Sequence, residues 1–105
     1  MPQFFITYLG SPKPSSAEEG KKHMNKYMDW LASLGDAALS PANPLKGTTT
    51  INADGSISNE SRSTISGFTI IDVESLEGAL AIAKACPYLE IGGSLEVSEI
   101  MKMPG

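Results

Sequence analysis

The sequence predicts an α+β domain in which two helices cover one face of a four-stranded antiparallel sheet. Three observations predict it. Two runs, residues 3–9 and 67–73, are rich in aromatic and β-branched residues and apolar on both alternating faces, as central strands are. Two other segments, opening after Ser16 and Ser75, carry apolar residues at helical spacing. Glycine, proline and aspartate punctuate the chain between these segments.

The first run alternates Phe4, Ile6 and Tyr8 against Phe5, Thr7 and Leu9 and stops at Gly10, Ser11 and Pro12. Ser15 and Ser16, each followed three positions later by glutamate (Glu18, Glu19), form overlapping capping boxes that open the first helix. Its expected apolar stripe is Met24, Tyr27, Met28, Leu31 and Leu34, with Gly35 as the left-handed stop. Residues 37–45 hold Pro41 and Pro44, which cannot donate to a ladder, so a strand there belongs at the sheet edge. Thr48 to Ile51 and Ser56 to Ser58, around the Asp54 and Gly55 pair, read as a short hairpin, with a polar loop after it over residues 59–66. The second central strand opposes Phe68 and Ile70 to Ile71 and Val73. Ser75 then caps a helix whose expected buried stripe is Leu76, Ala79, Leu80 and Ala83, ending before Pro87. Gly92 and Gly93 turn into a last strand with Leu95 and Val97 inward. The order is that of a ferredoxin-like βαββαβ sandwich with an added hairpin. Helices on one face leave the other face of the central strands uncovered, so a two-fold homodimer packed sheet against sheet is expected.

Length and charge narrow the function classes. At 105 residues the chain is the size of one domain, residues 1–105. Eight Lys and Arg against twelve Asp and Glu leave a net charge of −4, a poor field for nucleic acid or anionic lipid. Lys21, Lys22 and Lys26 are answered by Glu18 and Glu19 and read as a solvated helix face. The single cysteine, Cys86, excludes an intrachain disulfide, and the opening segment reads as a strand, so the expected location is cytoplasmic, with no membrane partner. One histidine and one cysteine do not make a metal set, and Gly92 and Gly93 lack the lysine and helix of a phosphate loop, so no cofactor is expected.

The pieces FFITYLGSP, WLASLG, ADG, SGFTIIDVESLEGALAIAKACP and GGSLEVSEI, in that order and spacing, resemble the YCII-related domains, and among them the DGPF-type group. The resemblance implies a dimeric α+β barrel. It also implies an acid/base pair, a histidine on the first helix and an aspartate before a Pro-Tyr pair. His23 matches the histidine, while Cys86 stands at the second position, ahead of Pro87 and Tyr88. The chain departs from the group in reading Asp54, Gly55, Ser56, Ile57 for Asp-Gly-Pro-Phe, and in carrying Ser98 where an arginine is usual.

The candidate catalytic residues are His23 and Asp72, and the candidate ligand-binding residues are Tyr8, His23, Tyr27 and Asp72. His23 belongs to the side-chain type that exchanges protons near neutral pH. Asp29, six positions on, points about 120° away around the helix, so an acidic partner has to come from another element. Asp72, at the end of the second central strand, is the expected one. Cys86, at the carboxyl end of the second helix where the dipole is negative, is expected to be a packing residue and not a nucleophile. These residues support three readings: a dimeric small-molecule-binding domain, a weak hydrolase or lyase using His23 with Asp72 or a bound water, and an accessory protein working through the polar loop 59–66.

Overall fold

The computed structural model describes residues 2–10, 15–58 and 64–102. Its eight main elements, in chain order, are β1 (Gln3–Leu9), α1 (Ala17–Leu34), β2 (Ala38–Pro44), β3 (Thr50–Ile51), β4 (Ile57–Ser58), β5 (Ile65–Asp72), α2 (Leu76–Lys84) and β6 (Ser94–Glu99). The main sheet has the order β2-β5-β1-β6, with every neighbouring pair antiparallel. This is the expected α+β sandwich.

Both helices begin as their sequences require. The Ser16 hydroxyl accepts the Glu19 amide at 3.1 Å, and the Ser75 hydroxyl accepts the Gly78 amide at 3.1 Å, closing an open amide at each helix start. Gly35 ends α1 at φ 54°, a region that disfavours a side chain. Alternation along β1 and β5 then sorts the core. Phe4, Ile6, Tyr8, Thr69 and Ile71 are buried toward the helices, joined by Trp30, Leu31, Ala79, Ala83 and Cys86. The Trp30 indole donates to the Ile82 carbonyl at 3.1 Å, tying α1 to α2 through a group that would otherwise be buried unpaired.

The helical stripes differ from expectation in one respect. Met24 and Met28 are 53% and 55% exposed and Leu76 and Leu80 46% and 40%, so the residues that reach the sheet are Trp30 and Leu31 on α1 and Ala79 and Ala83 on α2. The small side chains of α2 allow it to lie close to β1. The methionines face a cavity instead.

Two features of the sheet bear on assembly and on the site. On the helix-free face, Phe5, Thr7, Leu9, Phe68 and Ile70 are only half-buried, and the Phe5 and Phe68 rings meet edge to face at 5.0 Å. At the β2 edge the register slips between Ser40 and Asn43, so that Pro41 and Ala42 together face Thr69. A proline cannot supply the ladder amide, and the Asn43 side chain spans the gap instead, donating to the Phe68 carbonyl at 3.2 Å. The β3–β4 hairpin forms a sheet of its own, with the facing pair Ile51 and Ile57 72% and 68% exposed.

Candidate functional site

A cavity of about 320 Å³ opens between the first turns of α1 and the end of the sheet where β1 finishes and β5 begins. His23, Met24, Tyr27 and Met28 come from α1, Tyr8 from β1, Asn43 and Pro44 from β2, and Ser66 and Gly67 from β5. Tyr88 closes it from a short 3₁₀ turn, Pro87–Ile91, between α2 and β6. The histidine, three tyrosines and two methionines give walls of broad apolar surface with few polar atoms.

The tyrosines are fixed by hydrogen bonds of different kinds. The Tyr88 hydroxyl shares its one proton between the Leu9 and Gly10 carbonyls, each at 2.9 Å, and so holds the chain where β1 ends. Its ring lies against Gly93, where an added Cβ would fall 2.2 Å from a ring carbon. Tyr8 sits at the centre. Its hydroxyl is 2.9 Å from that of Tyr27 and 2.5 Å from that of Thr69, and the Thr69 hydroxyl donates to the Pro41 carbonyl at 2.5 Å. Burial pushes the Tyr8 phenol far above its ordinary value, so it stays protonated throughout the physiological range. The rings of His23, Tyr27 and Trp30 succeed one another along α1 at i, i+4 and i+7, with centroids 6.3 and 5.8 Å apart and planes at 21° and 28°.

Tyr8, His23 and Tyr27 therefore meet in one cavity, as their sequence positions suggest. Asp72 does not join them. Because β1 and β5 run antiparallel, Asp72 pairs with Gln3 at the start of β1, whereas the cavity lies where Leu9 pairs with Ile65. The expectation that Asp72 is the acidic partner of His23 is thereby corrected. The strand from Gln3 to Tyr8 spans roughly 17 Å at the usual rise. Among the described residues lining the cavity, none is an aspartate or glutamate.

Cys86 is buried in the core, and its thiol is pushed up to about 11, chiefly by burial, with the Tyr88 backbone acting in the opposite direction. The packing role holds, but desolvation and not the helix dipole is the leading cause. Among the described residues no three His, Cys, Asp or Glu side chains converge as a metal set. The charged face of α1 is solvated, with Lys22 3.7 Å from Glu19 and Lys26 3.2 Å from Glu90.

Thr69 and Asn43 are site residues that sequence reasoning misses. Alternation carries a signal for Thr69, since it falls on the buried face of β5 beside Ile71, and a buried hydroxyl needs a partner. Asn43 carries no such signal, because its role exists only through the slip at Pro41.

The chain matches the YCII-related domain over residues 4–104. It belongs to the YCII-related domain family. A structural neighbour of this YCII-related protein is the 5-chloro-2-hydroxyhydroquinone dehydrochlorinase TftG of Burkholderia phenoliruptrix, solved in complex with 2,5-dihydroxybenzoquinone. The two share 18% identity over 94% of this chain and 93% of that one, with a TM-score of 0.59, a likeness of fold. Among curated proteins none matches. No helix among the described residues is long and apolar enough to cross a membrane.

The packing of this YCII-related domain sets two expected outcomes. Thr69→Val strands the buried Pro41 carbonyl and forces the Tyr8 proton to turn to Tyr27, so it should destabilise by about 1–3 kcal/mol, against about 1 kcal/mol for Tyr8→Phe and less for Tyr27→Phe at the partly exposed end. Urea unfolding of the three variants checks the order, and a Tyr27→Phe cost exceeding the other two would contradict it. The second concerns alkaline pH. The unfolded thiol releases its proton near its ordinary value of 9.0 and the folded one only near 11, so the unfolded state binds fewer protons in between. Stability should fall from pH 9 toward pH 11, by on the order of 2 kcal/mol from this group. Cys86→Ala should flatten the early part of that decline, and equal slopes in the two proteins would contradict the assignment.

Proposed function

We propose that this YCII-related protein binds a small, flat, largely apolar molecule of about one or two rings in the cavity lined by Tyr8, His23, Tyr27 and Tyr88. The observation that carries the reading is the cavity itself: about 320 Å³, walled by aromatic rings and two exposed methionines, with few polar atoms. Flat rings offer large contact area at low entropic cost, and methionines adapt to irregular shapes. The quinone held by the TftG neighbour belongs to the same size and shape class.

A second reading makes His23 an acid/base in a hydrolase or lyase, supported by its place in the cavity wall. With Asp72 at the far end of β5, such chemistry would run between His23 and the ligand or a bound water. The accessory-protein reading rests on the loop 59–66, of which residues 59–63 lie outside the described residues. The assembly in this proposal is a homodimer, supported by the half-buried Phe5, Leu9, Phe68 and Ile70 on the helix-free face. A cytoplasmic setting fits its single buried thiol.

Titration with hydroquinone, a neutral flat ring carrying two hydroxyl groups, monitored by calorimetry and by amide chemical shifts, tests the pocket. Saturable binding that perturbs Tyr8, Tyr27 and Tyr88, weakened about tenfold by Tyr27→Ala or His23→Ala, is expected. Affinity unchanged in both variants would sink the reading. Turnover that vanishes in His23→Ala while binding persists would place chemistry at the site. For the assembly, light scattering should give twice the chain mass at micromolar concentration, and Phe68→Lys should give folded monomers. A wild-type monomer at that concentration would refute the dimer.

A further inference from the structure

We infer that Tyr27 presents only a hydrogen-bond acceptor to the cavity, so that the site selects neutral ligands bearing a hydroxyl or N–H donor over equally sized ethers or carbonyl compounds. The inference deepens the small-molecule reading above and rests on it.

The geometry of four oxygens carries the argument. The Pro41 carbonyl has no hydrogen, and it lies 2.5 Å from the Thr69 hydroxyl oxygen. Two oxygens at that separation need a proton between them, and only Thr69 can provide it. With its single proton spent, Thr69 must accept from Tyr8, 2.5 Å away. Tyr8 has then spent its own proton inward, and the contact of 2.9 Å with Tyr27 must be a donation from Tyr27 to Tyr8. Every proton in the chain points toward Pro41. The Tyr27 oxygen keeps its remaining lone pair, and Tyr27 is the member of the chain that stays partly exposed while lining the cavity.

The direction is stable because both ends are constrained. Pro41 sits where the ladder slips and its carbonyl accepts from Thr69, while Thr69 and Tyr8 are buried. Reversing the chain would leave the carbonyl facing a lone pair at its shortest contact. A carbonyl or ether oxygen on a ligand would meet the Tyr27 lone pair in the same unfavourable way, and a hydroxyl would extend the row by one bond.

The test compares 2-naphthol, which donates, with 2-methoxynaphthalene, which accepts only, both titrated into the full chain and read by amide chemical shifts. Wild type should prefer 2-naphthol by roughly five- to tenfold. Tyr27→Phe should remove that preference, leaving the difference due to the extra methyl group alone. Thr69→Val frees the Tyr8 proton to turn toward Tyr27, whose own proton then faces the cavity, so the preference should shrink or invert. Equal affinity of wild type for the two probes would overturn the inference while leaving the binding site standing. An undiminished preference in Tyr27→Phe would overturn it too, and that variant keeps the test decisive should Thr69→Val fold poorly. If neither probe shifts the cavity residues at millimolar concentration, the pocket reading falls and takes the inference with it.

Discussion

Pro41 has no amide hydrogen to offer a ladder, and it lies where the pairing of the edge strand β2 with β5 slips, between Ser40 and Asn43. Two residues then stand opposite Thr69, and the Pro41 carbonyl, released from the ladder, turns to the hydroxyl on the inner face of β5. That hydroxyl is buried, so its bond to Pro41 is worth more than the same contact in water, and it in turn anchors Tyr8. The floor of the cavity is therefore set by a defect in the sheet.

The wall opposite is built on a different principle. Nothing holds Met24 and Met28 against the sheet, and α1 contacts the core mainly through Trp30 and Leu31, well beyond its first turns. The helix is thus anchored at its carboxyl half, by packing and by the indole bond to Ile82, while its amino half stands off the strands and leaves the cavity. Tyr88 serves the same end from the other side, fixing the end of β1 through the Leu9 and Gly10 carbonyls.

Much of this is legible in the residues, and the failures have a common cause. Alternation in 3–9 and 67–73, the two serine caps and the edge prolines specify the layers and the place of β2 at the edge, since each is a local rule. The helical stripes are less legible: spacing identifies a face but cannot distinguish Met28, on a cavity wall, from Leu31, in the core. His23, Tyr8 and Tyr27 can be found because short-range helical geometry and strand alternation point them to one end. The placement of Asp72 fails because the end to which a strand delivers its last residue depends on its direction, and antiparallel neighbours deliver to opposite ends. Thr69 needs tertiary information in another sense, for its hydroxyl acquires meaning only beside the slip at Pro41.

The chemistry open to the cavity is constrained by what has replaced the acidic position implied by the family resemblance. Cys86 stands there, ahead of Pro87 and Tyr88, and its thiol is buried and protonated at neutral pH. A group in that state neither accepts a proton from a ligand nor orients an imidazole by charge. Asp72 is removed by strand direction, and Tyr8 holds its proton through burial and spends it on Thr69. Each route that would give His23 a charged partner from these residues is closed by a separate structural cause. Among the described lining residues the cavity offers shape, aromatic surface and a row of hydroxyls ending at Tyr27, and these are the features on which the proposed binding rests.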